Sequence, residues 1–339
     1  MFSKNPVPNQ NSVRPQRILI IRFSGISGII ETIPAIVALR ERFPKAEIAF
    51  LAEKEHSALL NGHIALNRLM FAEKDWHKTL SGIRHLRQRL RIFKPDATLD
   101  FQGQTKSAVA AWISGAGTRI GFTGKNTSFG SRFFNNILFT QKEKDGIERN
   151  LTLLETFDIA GTSIAFDLPE CETDKRNVAA MLNRNGLNGN FAIIHIGYSV
   201  KPSFWTEEQL ANVSRELLEQ WNLPSLIICT DENEISKAEA VADKADGAAY
   251  LIPKITLPEF AVIARKALLA AGTCSELLSV SNAAGTPVIN LDDYGDVRSV
   301  CNSCETVLAK LLTPEEKTSA MLFRQDFKKI NSTAVKNAA

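Results

Sequence analysis

The sequence predicts an α/β protein made of two Rossmann-like domains, each with a parallel β-sheet. Short apolar runs alternate with amphipathic stretches along the chain, as strands and helices do in doubly wound sheets. A length of 339 residues suits two hydrophobic cores rather than one. Each half also begins with a strand, a small-residue loop and a helix, at Ile18 and again at Phe191.

In the first half, the predicted strands are short, nearly continuous apolar runs, as expected of buried parallel strands. They are Ile18–Phe23, Glu47–Leu51, Ala97–Phe101 and Thr118–Phe122. Between them, Ile29–Arg42 and Leu80–Phe93 have helical periodicity. We expect a flexible N-terminal extension over residues 1–16 and a first domain over 17–170.

The second half repeats this alternation after a polar stretch that contains a short predicted helix, Val178–Asn185. The predicted strands are Phe191–Ile196, Ser225–Cys229, Ala249–Ile252, Leu268–Gly272 and Val288–Leu291, and the predicted helices are Thr206–Gln220, Asn233–Ala245 and Leu257–Arg265. Thr313 to Glu316 have the pattern of a helix cap. We place the boundary between residues 160 and 185, the second domain over 171–325 and a tail over 326–339.

Composition excludes several classes of protein. The net charge of +3 does not favour nucleic-acid binding, and no apolar run approaches the ~20 residues that span a bilayer. The polar N-terminus has no secretory h-region, and the odd number of cysteines, five, favours a reducing compartment. Cys301 and Cys304 lack the second pair that a zinc site requires. We expect a cytoplasmic protein that needs no metal or cofactor.

The stretch from Arg22 to Ala35 is the most informative. It follows a predicted strand, contains Ser24, Gly25 and Gly28, and opens a predicted helix. A strand, a small-residue turn and a helix start direct backbone N–H groups and a helix dipole at an anion.

This stretch resembles the opening of the bacterial ADP-heptose–lipopolysaccharide heptosyltransferases, which belong to glycosyltransferase family 9. The similarity holds at Arg22, Ser24, Thr32, Pro34 and Ala35, but Gly28 stands where the family carries an Asp. Further similar motifs begin at Asp100 (Asp-Phe-Gln-Gly-Gln-Thr-Lys-Ser-Ala), Arg119 (Arg-Ile-Gly-Phe), Ile147 (Ile-Glu-Arg-Asn), His195 (His-Ile-Gly) and Trp205 (Trp-Thr-Glu-Glu).

The resemblance implies the GT-B fold, in which two facing Rossmann-like domains bind ligands in the cleft between them. It implies an inverting transfer of a sugar from a nucleotide-diphospho donor, similar to ADP-heptose, to a lipopolysaccharide inner-core acceptor. That acceptor is a lipid-linked saccharide at the inner face of the cytoplasmic membrane. The implied substrate-binding residues are Ser24, Gly28, Gln102, Lys106 and Ser107 in the first domain and Gly197, Lys201, Ser203, Glu234 and Ser275 in the second.

The chain departs from the family at several of these positions. Ser203 stands where the family carries a Lys, although Lys201 could substitute for it, and Cys274 to Ser279 replace the Asp, Gly and His of a late motif. One alternative is therefore a catalytically impaired relative that binds a sugar, a nucleotide or a partner. Another is a different nucleotide-sugar transferase or epimerase on a similar fold.

Glu31 is the candidate catalytic base. It lies three residues beyond Gly28, so on a helix the two Cβ atoms would be ~5–6 Å apart. The alternative is a solvated acid in the first turn of a helix. Lys106 and Glu234 also have structural alternatives, as a solvated lysine at a helix start and a helix-start carboxylate, and His195 fits a buried histidine better than a base.

The predicted helix Leu80–Phe93 has an apolar stripe and, beside it, a basic stripe that ends at Lys94. The basic side chains are Arg84, Arg87, Arg91 and Lys94. A basic amphipathic helix can lie on an anionic membrane. The alternative is a helix that packs its apolar stripe in the core and exposes the basic stripe to water.

Overall fold

The computed structural model describes residues 14–23, 25–141, 146–161, 163–187, 189–196, 205–229, 234–273, 275–294, 296–313 and 316. The chain divides into two compact units, the first ending at Pro169 and the second beginning at Glu170. Each unit contains a parallel β-sheet whose strands alternate with helices. Within the described ranges, no helix is both long enough and apolar enough to cross a bilayer.

The first unit contains a six-stranded sheet. Its strands are β1 (Arg17–Ile21), β2 (Glu47–Glu53), β3 (Arg68–Ala72), β4 (Ala97–Asp100), β5 (Thr118–Thr123) and β6 (Ile137–Thr140), and its helices are α1 (Ile26–Ile30), α2 (Ile33–Arg42), α3 (Leu80–Phe93), α4 (Thr105–Ser114), α5 (Ser131–Phe134) and α6 (Gly146–Thr152). The strand order is β3-β2-β1-β4-β5-β6, and all pairs are parallel. The order reverses between β1 and β4, so their carboxyl ends form the usual ligand crevice of such a sheet.

The second unit has the same architecture with five strands. Its strands are β7 (Ala192–Ile196), β8 (Ser225–Cys229), β9 (Ala249–Ile252), β10 (Leu269–Gly272) and β11 (Val288–Asn290), and its helices are α7 (Glu172–Arg184), α8 (Glu207–Trp221), α9 (Ile235–Lys244), α10 (Leu257–Lys266), α11 (Ser275–Ala283) and α12 (Val297–Leu311). The order β11-β10-β7-β8-β9 reverses between β7 and β10.

Helices α3 and α4 cover one face of the first sheet. Leu86, Leu90 and Phe93 of α3 and Ala110 and Ile113 of α4 are buried in one cluster with inward side chains of β1 and β2. Helix α5 packs beside α4. The right-handed crossovers of parallel strands place α1 and α2 on the opposite face.

Local signals in the sequence explain where several helices begin and end. Thr79 caps α3 by accepting a hydrogen bond from Gly82 N at 3.0 Å, and Lys94 ends the helix in the left-handed conformation before Pro95. Thr206 and Gln209 form a reciprocal capping box at the start of α8. These termini are determined by a few polar side chains and by proline.

The predicted α/β fold with two parallel sheets is confirmed, and three predicted elements have the predicted bounds: α3, β8 and β9. The prediction of one helix over Ile29–Arg42 is wrong, because Glu31 and Thr32 interrupt it. The sequence analysis did not predict β3, β6 or α4. Thr313 and Glu316 make both predicted cap bonds, at 2.8 and 3.2 Å, while the rest of that helix and the tail lie outside the described residues. The domain ranges 17–170 and 171–325 stay predictions.

Candidate functional site

The carboxylate of Asp100, at the end of β4, organises the carboxyl edge of the first sheet. It is fully buried. Oδ1 accepts hydrogen bonds from the backbone N–H groups of Gln102 and Gly103, both at 3.0 Å, and Oδ2 accepts one from Asn135 Nδ2 at 3.2 Å. Burial raises the pKa of Asp100, and hydrogen bonds, first that of the Ser107 hydroxyl, oppose the rise. These bonds hold the loop after β4 in place.

The Arg-Ile-Gly-Phe motif in β5 supports this arrangement. A Cβ atom at Gly121 would lie 2.8 Å from Asn135 Cγ, so the side chain that reaches Asp100 needs glycine there. Arg119 donates from Nε to the carbonyl of Phe134 at 2.7 Å, next to Asn135. The motif is therefore explained by packing around a buried carboxylate.

Gln102 connects the loops that follow β1 and β4. Its Oε1 accepts a hydrogen bond from Phe23 N at 2.9 Å, and its Nε2 donates to Gln104 Oε1 at 3.0 Å. Ser107 is fully buried, and its hydroxyl exchanges hydrogen bonds with the backbone of Gln104 at the start of α4. A hydroxyl without accessible surface cannot contact a ligand in this conformation, so Ser107 supports the loop from behind.

The Lys106 ammonium group is paired rather than solvated. It forms an ion pair with Glu53 at the end of β2, and it lies 5.0 Å from the centre of the Phe23 ring. Its side chain is 22 % exposed. The alternative of a solvated lysine is therefore wrong. Lys106 also borders a groove of about 780 Å³, which is lined by His77, Ile83, Gln104, Thr105, Lys106, Val109, Lys125, Asn126, Thr127 and Ser128.

Arg22 occupies the space beside Gly28 in which a side chain would lie. Its Nη1 donates to the carbonyl of Phe101 at 2.7 Å. A Cβ atom at Gly28 would lie 2.6 Å from Arg22 Cζ, so the guanidinium fills the position from which the family's Asp would project. Burial lowers the pKa of Arg22, the charge of Arg149 lowers it further, and Glu31 and Asp100 oppose this.

Glu31 lies at the C-terminus of α1 and not in the first turn of a helix. Its backbone N–H donates to Ser27 O at 2.8 Å. Its carboxylate is about one third exposed (33 %) and lies 3.6 Å from Arg149 Nη2. A Cβ atom at Gly146 would lie 2.5 Å from Glu31 Oε1, so the first residue of α6 also touches it. Arg22, Glu31 and Arg149 thus form a charged cluster at the sheet edge, while Ser24 lies outside the described residues.

Sequence reasoning assigned no role to Arg149, Asn150, Asn135 or Asp100. Asn150 is buried and donates from Nδ2 to Glu31 O at 3.0 Å, which fixes the backbone of the candidate base. Asp100, Arg149 and Asn150 stand in the quoted motifs, so a signal was present for these three, whereas Asn135 stands in none of them. Their partners are distant in sequence, and only the fold shows the contacts.

In the second unit, His195 is the next-to-last residue of β7, and its side chain is buried, as expected. It is 1 % exposed, and burial lowers its pKa to about 3. Neither ring nitrogen has a hydrogen-bond partner in the described part of the chain. A Cβ atom at Gly272 in β10 would lie 2.9 Å from His195 O, so glycine is needed beside it. The imidazole is neutral at pH 7.

Of the predicted substrate-binding residues in this unit, Glu234 is the one whose side chain the structure describes. It is the N-cap residue of α9, follows β8 and is partly exposed, and its carboxylate makes no cap bond to the helix. Trp205 is buried and donates from Nε1 to Leu291 O at 3.0 Å, which fixes the start of α8. Gly197, Lys201 and Ser203 lie outside the described residues, as does the side chain of Ser275, which begins α11.

The cysteine pair lies on α12, away from any strand-to-helix loop. Burial raises the pKa of Cys301 to about 11 and that of Cys304 to about 12, so both thiols are protonated at neutral pH. In the described ranges, no group of three or more His, Cys, Asp or Glu side chains is placed to hold a metal ion.

Two parallel sheets, each with a reversal of strand order, match the architecture of the GT-B fold. Solved structures agree. A family 9 glycosyl transferase from Veillonella parvula aligns with a TM-score of 0.72 at 17 % identity, over 81 % of each chain. Escherichia coli heptosyltransferase WaaC with ADP-2-deoxy-2-fluoro heptose aligns with a TM-score of 0.67 at 17 % identity, over 87 % of this chain and 100 % of that one.

The sequence places the chain within a family. The profile of glycosyltransferase family 9 (heptosyltransferase) matches residues 83–301, so the protein belongs to this family, as its motifs predicted. Lipopolysaccharide heptosyltransferase 1 of Escherichia coli O18:K1:H7 is 21 % identical over 323 residues, which cover 87 % of this chain and 94 % of that protein. The profile match begins inside α3 and does not include the stretch around Gly28.

The contact between Arg22 and Gly28 can be tested by stability. Gly28→Ala should destabilise the protein by ~1–3 kcal/mol, because the added methyl group displaces the guanidinium. In an Arg22→Ala background the same change should be neutral or stabilising by up to ~1 kcal/mol, because alanine is the better helix former. Urea unfolding of the four proteins gives the coupling free energy.

Gly117→Ala is the control for this cycle, because a Cβ atom there meets no atom within 4 Å. It should behave alike in both backgrounds. Additive effects of the Gly28 and Arg22 substitutions would show that the guanidinium does not fill the space beside position 28.

The buried His195 should make the protein sensitive to acid. The His195 imidazole has a pKa of 6.5 in the unfolded chain and of about 3 in the folded chain. The neutral imidazole therefore contributes its full stability above pH 6.5, and this contribution is lost as the pH falls towards 3. His195→Leu should remove up to ~1.4 kcal/mol per pH unit from this slope. Urea midpoints between pH 7 and 4.5 measure it. An unchanged slope in His195→Leu would contradict the prediction.

Proposed function

We propose that the protein is an inverting glycosyltransferase that moves a heptose-like sugar from an ADP-heptose-type donor to a lipopolysaccharide inner-core acceptor. The observation that carries this proposal is the extent of its alignment with heptosyltransferase 1, which includes 94 % of that protein and therefore both of its halves. The acceptor would be a lipid-linked saccharide at the cytoplasmic face of the inner membrane, and the proposal involves no metal or cofactor.

The second unit is the proposed donor site. Its reversal of strand order between β7 and β10 provides the crevice in which such sheets bind nucleotides. Gly197, Lys201 and Ser203 follow β7 in the sequence, and their backbone N–H groups and the lysine would hold the diphosphate. Glu234 would accept hydrogen bonds from the ribose hydroxyls, because its carboxylate is not used to cap α9. Ser275 follows β10 at the same edge.

The first unit is the proposed acceptor site. Lys106 borders the groove beside α4, and Gln102 fixes the loop that forms its edge. Gly28 follows β1 on the other side of the strand reversal, and Ser24, which lies outside the described residues, precedes it in the sequence. The groove provides ammonium, amide and hydroxyl donors beside two aliphatic side chains, which suits a saccharide that carries anionic groups.

The proposed chemistry assigns the proton transfer to Glu31. An acceptor hydroxyl oxygen would attack the anomeric carbon from the face opposite the diphosphate, and the bond from that carbon to the diphosphate oxygen would break with its electron pair. The hydroxyl proton would pass to Glu31, and ADP would leave. General-base help of this kind contributes ~10²–10⁴-fold, and cationic and backbone donors would stabilise the charge on the leaving diphosphate.

One observation favours a second function, that of a binding protein without turnover. The guanidinium of Arg22 lies where the family's Asp side chain would project, so a cation occupies that space and the acid itself is absent. The two functions differ in a measurable way, because a binding protein would retain affinity for the donor and release no ADP.

Donor binding is the first test. Titration calorimetry with ADP and with ADP-heptose should show binding, and Glu234→Ala should weaken it about tenfold or more, because ribose hydrogen bonds to a charged group are lost. Glu239→Ala, an exposed carboxylate on the same helix, is the matched control. If millimolar ligand produces no binding heat and does not raise the melting temperature, the result would argue for a partner-binding protein instead.

The catalytic base is the second test. Glu31→Gln should lower the rate of ADP release in the presence of acceptor by ~10²-fold or more, because the amide cannot take the proton. Glu41→Gln, at an exposed position on α2, should leave the rate unchanged. If the wild type turns over at ~1 s⁻¹ and Glu31→Gln keeps that rate, the catalytic base is a residue other than Glu31. Donor binding with no turnover would support the binding-protein function.

A further inference from the structure

Helices α3, α4 and α5 form one continuous outer surface on the first unit. Arg91 near the end of α3 donates to the carbonyl of Ile113 in α4 at 3.4 Å, and Trp112 of α4 lies 5.5 Å from Phe134 of α5 between ring centroids. The inner sides of α3 and α4 pack on the sheet. We call the outward side of the three helices and the Phe129 turn the outer face.

Large apolar side chains project from the outer face. Trp112 is 54 % exposed, Phe129 71 %, Phe133 66 % and Ile92 73 %. The Phe129 and Phe133 rings pack on each other at 4.7 Å, so they form a joint protrusion. Clustered aromatic rings in water mark a surface that binds something apolar, whereas isolated exposed apolar residues are ordinary.

The outer face is also strongly basic. Nine lysine and arginine residues lie between positions 80 and 141, against two acids, Asp96 and Asp100, although the whole chain carries a net charge of only +3. Asp100 is buried, and Asp96 accepts hydrogen bonds from the backbone N–H groups of Gln16 and Arg17. The exposed basic side chains are Arg84, Arg87, Arg91, Lys94, Lys125 and Arg132. In the described part of the chain, none of them forms an ion pair.

The outer face adjoins the groove that we propose for the acceptor. Val109 lines the groove and lies one turn before Trp112 on α4. Lys125 and Ser128 line it as well, and Phe129 follows directly in the chain. A molecule held between Trp112 and Phe129 would therefore have the groove beside it.

We propose that the outer face binds the surface of an anionic phospholipid bilayer. Aromatic rings favour the interface between headgroups and acyl chains, and each basic residue near an anionic surface adds attraction. The basic and aromatic side chains occur together here with no exposed carboxylate among residues 80–141, which matches the chemistry of such a surface. The role of this contact, to present a lipid-linked saccharide to the groove, rests on the proposed function, whereas the contact itself does not.

Vesicle flotation with the full chain tests the proposal. The protein should float with vesicles that mix phosphatidylcholine and phosphatidylglycerol in equal parts, and it should not float with phosphatidylcholine alone. Arg87→Gln/Arg132→Gln should weaken binding to the anionic vesicles about 20- to 30-fold, as expected for two lost basic contacts. Phe129→Ser/Phe133→Ser should also weaken binding and leave a remainder that high salt removes.

Matched controls come from elsewhere on the chain. Ile64→Ser changes a residue that is 79 % exposed in the same unit, and Arg176→Gln/Arg184→Gln removes two exposed charges from the second unit. Both should bind vesicles like the wild type. The proposal is overturned if the wild-type protein does not bind anionic vesicles. It is also overturned if the outer-face variants bind them as well as the controls do. So would lipid-free self-association that depends on Phe129 and Phe133, because a second copy would then cover the face.

This experiment uses no sugar donor or acceptor, so its failure differs from failure of the proposed function. Vesicle binding without sugar transfer would support membrane binding by the outer face and would not support the proposed activity. Transfer to an acceptor without vesicle binding would support the activity and exclude the membrane contact.

Discussion

The described loops that follow β1, β4 and β5 depend on one buried carboxylate, that of Asp100. It holds the loop after β4 through two backbone N–H groups, and the Gln102 side chain then holds the backbone of Phe23 after β1. On the other side it holds Asn135 beyond β5. A buried carboxylate without such partners would cost several kcal/mol. The loops after β4 and β5 are therefore coupled through this carboxylate, and the loop after β1 is coupled to them through the Gln102 side chain.

This coupling gives a physical meaning to the glycine at position 28. Arg22 is held by the carbonyl of Phe101, the residue directly after Asp100, and its guanidinium lies against Gly28. The space of the missing side chain is thus filled by a group that the Asp100 loop positions. A side chain at position 28 would require the Arg22 guanidinium to shift, so the placement of Arg22 depends on the residue at position 28. Glu31 and Arg149 complete its charge balance at the sheet edge.

The sequence analysis predicted the sheets and the order of their elements because buried parallel strands are continuous apolar runs. It failed for the two edge strands of the first sheet: β3 is partly exposed along most of its length, and no residue of β6 is buried, so neither is a buried apolar run. It also joined α1 to α2, since it gave no weight to Pro34, which has no N–H for the carbonyl of Ile30. Gln102 and Lys106, which the motifs singled out, lie at the carboxyl edge of the sheet after β4, and their role in substrate binding stays a prediction. Their partners, such as Glu53 for Lys106, come from distant strands and could be found only in the fold.

The outer face and the charged cluster at the sheet edge make different demands on the chain. Membrane attachment depends on the summed charge and apolar area of many exposed side chains, so it tolerates single changes. Proton transfer depends on one carboxylate within ~3 Å of one hydroxyl, so a single substitution can remove it. An arginine in the space beside Gly28 is therefore compatible with a fully retained outer face. Under the proposed function, binding of a lipid-linked saccharide and its glycosylation would therefore be separable properties, and only the second would depend on Glu31.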